Sequence, residues 1–176
     1  MVRLVLLLAL TLISQAEQPS LPRVERQGIG PVTVGAPAQQ VYEAFPPDRR
    51  QLVDLGYEGY LSPALYLRFA GMSQRDGVVA ELIAGSTGLR VWRVEIRDPA
   101  FKTLKGIGVG SSVGELRAAY QLDSVVSGEG SVAVRVEELS ASFVLDQSGP
   151  GGNRLWQLKA ATAVPDSTKI KSILLN

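Results

Sequence analysis

Six carboxylates in this sequence carry side chains suited to general acid–base work: Asp54, Glu58, Asp76, Asp98, Glu137 and Glu138. Two converging carboxylates can cleave a glycosidic bond without histidine. Nothing in the spacing of these six favours a pair. Glu137 and Glu138 are neighbours in a strand-like segment, which sends them to opposite faces. They read as solvated or turn carboxylates. Lys105 with Ser111 or Ser112 offers the parts of a serine–lysine dyad. Ser112 has a better use: Ser112-Val113-Gly114-Glu115 fits a capping box, with Ser112 as N-cap and Glu115 at N3.

Lys105–Ser112 (KGIGVGSS) is a glycine-rich stretch before a helix, a setting in which backbone N–H groups can cradle phosphate. It lacks the Gly-Lys-Ser/Thr ending of a P-loop, and its glycines do not fit G-x-G-x-x-G. A turn that needs glycine's backbone freedom explains it better. Tyr57, Tyr60 and Tyr66 gather around the loop-like stretch Gly56–Pro63. Loop aromatics anchor protein interfaces, and they also cover sheet edges. Trp156 follows the turn signal Ser148-Gly149-Pro150-Gly151-Gly152 and reads as an interface residue or a lid on the core. Tyr57, Tyr60 and Trp156 are therefore the candidate binding residues. Trp92, on an apolar strand face, is expected in the core.

The sequence contains no histidine and no cysteine. Serine–histidine and cysteine–histidine nucleophile systems are thus excluded. Zinc, copper, haem and iron–sulfur sites are not expected, because their usual ligands are missing. No catalytic residue, metal ligand or cofactor is assigned. Disulfides are excluded too, so stability must come from a hydrophobic core, which a 45% apolar composition can supply.

The N-terminus reads as an export signal. Met1-Val2-Arg3 supplies one positive charge, Leu4–Ile13 is apolar except for Thr11, and Ser14-Gln15-Ala16 offers small residues for cleavage after Ala16. Ten apolar residues are too few to span a bilayer, which takes roughly 20. Cleavage removes Arg3 and no acid, so the mature chain has formal net charge zero. Nucleic acid and anionic membrane surfaces are accordingly not expected as partners. No later segment is apolar enough to serve as an integral membrane helix. Release to the periplasm or the exterior is the expected localisation.

The remaining sequence must position whatever chemistry there is. Residues 17–27 are polar with two prolines and read as a flexible N-terminal segment. Val34–Phe45 (VGAPAQQVYEAF) and Val109–Tyr120 (VGSSVGELRAAY) align without a gap at an offset of 75. Ala38, Val41 and Phe45 match Val113, Leu116 and Tyr120, a spacing that puts each trio on one helical face. Pro37 stands where a first helical residue belongs. Both helices are short, about nine residues, and need tertiary packing.

Strand-like alternation follows each helix. Leu65, Leu67 and Phe69, then Val78, Ala80 and Leu82, then Trp92, Val94 and Ile96 mark the first half. Val132, Val134 and Val136, then Ala141, Phe143 and Leu145, then Lys169–Leu175 mark the second. The expected fold class is α+β: two tandem modules, 28–104 and 105–176, each a short helix followed by about three antiparallel strands. The two units are expected to pack or pair edge to edge.

GIGPVTVGAP from Gly28, VWRVEIRDP through Pro99, KGIGVGSSVGELRAAY from Lys105 and the closing GPGG and PDSTKIKSILL occur in an order that resembles a small family of bacterial envelope lipoproteins. Its enterobacterial member is under the envelope-stress sigma factor. The resemblance implies an envelope location and a similar architecture, and it implies no activity. The family's lipid-attachment cysteine and its later cysteines are absent here, so lipid anchoring is not carried over. At the level of fold alone, the duplicated plan is similar to β-lactamase inhibitory proteins and a small outer-membrane assembly lipoprotein. The expected function is that of a non-catalytic exported protein that binds another envelope protein or peptide. The alternative is a carboxylate- or serine-based hydrolase or small-ligand binder.

Overall fold

Two glycines 75 positions apart set the entry to both helices. Gly35 has φ +88° and Gly110 has φ +83°, a conformation that side-chain-bearing residues rarely adopt. Each lets the chain turn back on a later strand. Gly35 N–H donates to the Val91 carbonyl at 2.7 Å and Val91 N–H to the Ala36 carbonyl at 2.9 Å. Gly110 N–H donates to the Ile170 carbonyl and Ile170 N–H to the Ser111 carbonyl, both at 2.9 Å. The same pair of backbone bonds thus closes both halves, and the repeat seen in the sequence is a repeat in space.

The structure is a computed structural model that describes residues 21–57, 60–72, 77–128, 130–149 and 152–176. The expected export signal at 1–16, residues 17–20, Glu58, Asp76, Pro150 and Gly151 lie outside the described residues. Strands β1 (Val24–Glu25), β2 (Gly28–Ile29) and β3 (Val32–Thr33) form a small antiparallel sheet. Helix α1 (Ala38–Glu43) leads to β4 (Arg50–Tyr57), β5 (Tyr60–Leu67), β6 (Val78–Gly85) and β7 (Gly88–Ile96). Helix α2 (Val113–Ala119) leads to β8 (Ser124–Gly128), β9 (Ser131–Val136), β10 (Ala141–Leu145) and β11 (Ile170–Leu175). The class is α+β, and these eight strands make one antiparallel sheet in the order β4-β5-β6-β7-β11-β10-β9-β8.

The halves meet where β7 and β11 pair antiparallel, with Ile96 opposite Ile173 and Val94 opposite Leu175. Two copies of one unit joined through the same strand must pair this way around a two-fold axis. A β-bulge sits at the same point of each half: Trp92 is the extra residue on β7 opposite Glu81 and Leu82, and Lys171 is the extra residue on β11 opposite Val144 and Leu145. Below both bulges one continuous core spans the molecule. It takes Val41 from α1, Leu116 from α2, Val24, Ile29 and Val32 from the small sheet, and Leu155, Ala161 and Val164 from the β10–β11 connection. Phe45, Phe69 and Phe101 stack edge to face at 5.0 and 5.2 Å within the first half.

Several expectations are corrected. Each half has four strands, not three. The missed ones, β4 and β8, are the sheet edges, where one flank is unpaired and side chains such as Leu52 stay exposed, so no clean alternation marks them. Residues 21–27 are packed onto the fold: Val24 is buried in β1, and its N–H donates to the Lys102 carbonyl at 3.0 Å. The helices hold six and seven residues. Pro37 is the N-cap of α1, matching Ser112 at the N-cap of α2, and its carbonyl accepts the first helical bond from Val41.

Glycine at both entry points has a measurable consequence. An added Cβ at Gly35 or Gly110 would meet nothing within 4 Å, so only the backbone resists it. Gly35→Ala and Gly110→Ala are expected to cost about 1–2 kcal/mol each, by similar amounts, in urea denaturation. A neutral result at one position alone would contradict the equivalence of the halves.

Candidate functional site

The ladder register divides the sheet into two faces. Leu65, Ala80, Val94, Leu175, Ala141 and Val136 run across one face and belong to the core with the helices. The other face carries Ala64, Val79, Glu81, Arg93, Ser172, Ser142, Val144 and Ala133, all buried, and none of them belongs to that core. Apart from the Glu81–Arg93 pair, its floor is made of small side chains. Longer, half-buried ones rise from it: Tyr66, Trp92, Glu95, Arg97, Arg135 and Leu174.

Glu81 and Arg93 face each other across β6 and β7 in a bidentate pair, with Nε–Oε1 at 2.8 Å and Nη2–Oε2 at 3.0 Å. Both are nearly covered, with side-chain exposures of 2% and 9%. Arg93 also lies over the Trp92 ring at 4.5 Å. Trp92 was expected in the core, but the bulge inserts it as the extra residue of β7, and Val91 takes the core position instead. Beside this pair, Arg97 donates to Glu95 Oε2 from Nε at 2.9 Å and from Nη2 at 2.6 Å.

A cavity of about 250 Å³ lies on this face and touches Glu81, Arg93, Arg97, Ser172, Val144 and Ser131. Its lining reaches from β6 to β9, four places apart in the sheet, which is about 19 Å in a flat one. A pocket this small fits a sheet curled around this face, and curling also explains why short side chains are buried here without helices above them. The result is a shallow trough with apolar and hydroxyl groups below and ion-paired arginines on its walls.

The residues singled out from sequence do not gather into one site. Tyr57 and Tyr60 are the last ladder pair of the β4–β5 hairpin, so they stand on strands and not on a loop. Trp156 lies in a 3-10 segment, Gly152–Gln157, within the β10–β11 connection, and is 39% exposed. The antiparallel register puts that connection at the opposite end of the sheet from the Tyr57–Tyr60 hairpin tip. Tyr66 lies on the trough face, between Gln51 and Val79.

The hydrolase parts are likewise engaged elsewhere. Lys105 Nζ donates to the Ala119 carbonyl at 2.9 Å and to Glu138 Oε1 at 3.2 Å, and sits over the Tyr120 ring. Neither serine is among its partners. Ser111 Oγ accepts from Gly108 N–H, and Ser112 Oγ accepts from Glu115 N–H at 3.2 Å while Glu115 accepts from Ser112 N–H at 2.6 Å. The capping box is thus formed, and this Ser112 N–H bond holds the Glu115 carboxyl below its ordinary range. The N–H of Ser148 does the same for Asp146. Glu137 and Glu138 lie in a 3-10 turn and not in a strand, and Glu137 pairs with Arg135 at 2.6 Å. Asp98 is a buried turn residue that accepts from Ala100 N–H at 2.8 Å. Asp54 is exposed on the edge strand.

The glycine stretch holds no anion cradle. The N–H groups of Gly106, Ile107, Gly108, Gly110, Ser111 and Ser112 all donate to partners within the chain. Among the described residues no group of three or more acidic or other ligating side chains could hold a metal ion, and no helix is long and apolar enough to cross a membrane.

Sequence reasoning missed Glu81 and Arg93. Glu81 interrupts the apolar run Val78–Ile83, and Arg93 follows Trp92 between apolar residues. A charge inside each of two neighbouring buried strands was the available signal.

No protein-family model matches the chain, and no curated protein matches it. Among solved structures, it is similar to the crystal structure of the uncharacterized protein yfeY from Escherichia coli, with a TM-score of 0.57 at 17% identity. The match covers 88% of this chain and 99% of that one. At that identity the likeness is one of fold.

Proposed function

We propose that this is an exported, non-catalytic protein that binds a segment of another envelope protein or a peptide in the trough of its sheet. The observation that carries this reading is the composition of the trough. Its floor is small and buried, and its walls carry Tyr66, Trp92, Arg97 and Leu174 only half-buried. Aromatic and arginine side chains around a desolvated apolar centre are the groups that dominate binding energy at protein interfaces. Ion pairs such as Glu95–Arg97 give register and selectivity there.

The export signal and the ordered motifs shared with envelope lipoproteins support a periplasmic or secreted location, with cleavage after Ala16. No lysine–serine or paired-carboxylate constellation among the described residues supports the hydrolase alternative.

Panning a random-peptide phage library against the mature chain tests the reading. Enriched peptides are expected to lose at least tenfold in affinity for Leu174→Arg, which puts a charge on the trough wall. Leu104→Arg, at a 78% exposed position outside the sheet, is expected to bind as the parent does. Equal loss in both variants, or no enrichment, contradicts the proposal.

A further inference from the structure

We propose that the open flank of α1 docks a partner protein's segment that carries apolar side chains and a carboxylate, as residues 152–166 of the chain cover the matching flank of α2. The two-fold relation between the halves allows the comparison position by position. Pro37 bridges Arg90 as Ser112 bridges Lys169, so Leu89 corresponds to Thr168. In the second half the chain reaches that point from a long connection that runs over α2. Gly114 N–H donates to the Asp166 carbonyl at 3.0 Å, and Val113 N–H donates to the Thr168 carbonyl at 2.8 Å. Arg117 pairs with the Asp166 carboxylate, and its Nη2 donates to the carbonyls of Ala161 and Val164 at 3.1 and 3.0 Å. Leu155, Ala161 and Val164 are buried in the core. In the first half the chain reaches the same point from the tight β6–β7 turn, with Gly85 opposite Gly88, so that connection has no counterpart.

The surface left open is apolar. Along the ladder, Leu52, Leu65 and Ala80 stand where Val125, Val134 and Phe143 stand in the second half, and Pro63 stands where Val132 does. Val132 is fully buried and Val125 is half-buried against the core, whereas Leu52 is 60% exposed. Tyr42, at the α1 position that matches Arg117, is exposed as well. So are Leu61 and Leu89, which alternation puts on the helix side of the sheet with Leu65 and Val91. Exposed apolar side chains gathered on one side of one half mark an interaction surface.

The charge matches too. Arg50 rises from β4 and lies over the Tyr42 ring at 3.8 Å, so a guanidinium stands on this flank in both halves. Its Nη1 donates to the Tyr42 carbonyl, and its Nε is buried without a hydrogen-bond partner among the described residues. Arg117 shows what such a guanidinium takes from a covering segment, namely one carboxylate and backbone carbonyls. The partner segment is therefore irregular, with leucine- or valine-sized side chains followed by an aspartate or glutamate. This surface lies on the opposite side of the sheet from the trough and does not rest on the peptide reading of the trough.

A labelled peptide of residues 152–168, added in trans to the chain from residue 17 onward, is the probe, and fluorescence anisotropy reads its binding. Leu52→Glu is expected to weaken binding at least fivefold, and Asp166→Asn within the peptide severalfold. Leu104→Glu, at a 78% exposed position outside the sheet, is expected to bind as the parent does. Unaltered melting temperatures check that both variants fold. Arg117→Gln loosens the chain's own cover and so separates the two flanks. Binding that Arg117→Gln strengthens and Leu52→Glu leaves unchanged would mean that the peptide only replaces its own copy on α2, and overturns the proposal. Absence of binding overturns it too. Self-association of the parent chain that Leu52→Glu abolishes, read by analytical ultracentrifugation, gives the flank to a second copy and likewise overturns it.

Discussion

Ile173→Ala is expected to remove about 3–4 kcal/mol of stability and to weaken both halves of the molecule together. Ile173 is fully buried in β11, opposite Ile96 of the first half and Phe143 of the second. Truncating it opens a cavity at the seam, where neither half can relax without moving the other. The two tryptophans fall one to each half, Trp92 on β7 and Trp156 in the β10–β11 connection. Single-tryptophan variants, made by Trp→Phe at the other position, therefore report on each half separately. Coincident urea transitions, shifted equally by Ile173→Ala, are the expected result. Two separate transitions would mean that the halves fold independently in spite of their shared core.

Glu81→Ala is the other large effect, at about 3 kcal/mol. Alanine removes the carboxylate that grips Arg93 in two bonds and leaves a guanidinium in a place with little access to water. Replacing both partners, as in Glu81→Leu with Arg93→Leu, removes the desolvation cost along with the attraction, and is expected to cost under about 1 kcal/mol. A double-mutant cycle by chemical denaturation measures this. If the double variant falls as far as the single one, the pair is a net source of stability. If it folds as well as the parent but loses peptide binding, the pair belongs to the trough's recognition surface.

What could be read in the sequence, and what could not, follows from where information sits in the chain. The repeat was legible because glycine at positive φ and a capping serine are local demands, written at Gly35, Gly110 and Ser112. The strands β5, β6, β7, β9, β10 and β11 were legible because a sheet with a helix-covered face imposes alternation on its inner strands. The edges β4 and β8 lacked that constraint. The bulge at Trp92 was hidden because an inserted residue shifts the phase of alternation without changing composition. The trough was hidden for a different reason. It is assembled from β5, β6, β7, β9, β10 and β11 by a strand order in which β11 returns to lie beside β7. No local pattern encodes that return. The aromatic residues that stood out in sequence, Tyr57, Tyr60 and Trp156, were conspicuous by type, and the fold sends them to opposite ends of the sheet.

Site-specific photo-crosslinking tests the central claim most directly. A photoreactive amino acid is placed at Leu174, on the trough wall, or at Leu104, outside the sheet, and the chain from residue 17 onward is irradiated in envelope extract of the source cells. The expected result is a discrete adduct at Leu174 that Leu104 does not give and that an excess of unlabelled parent chain competes away. Adducts of equal strength at both positions, or none at Leu174, would contradict a binding role for the trough.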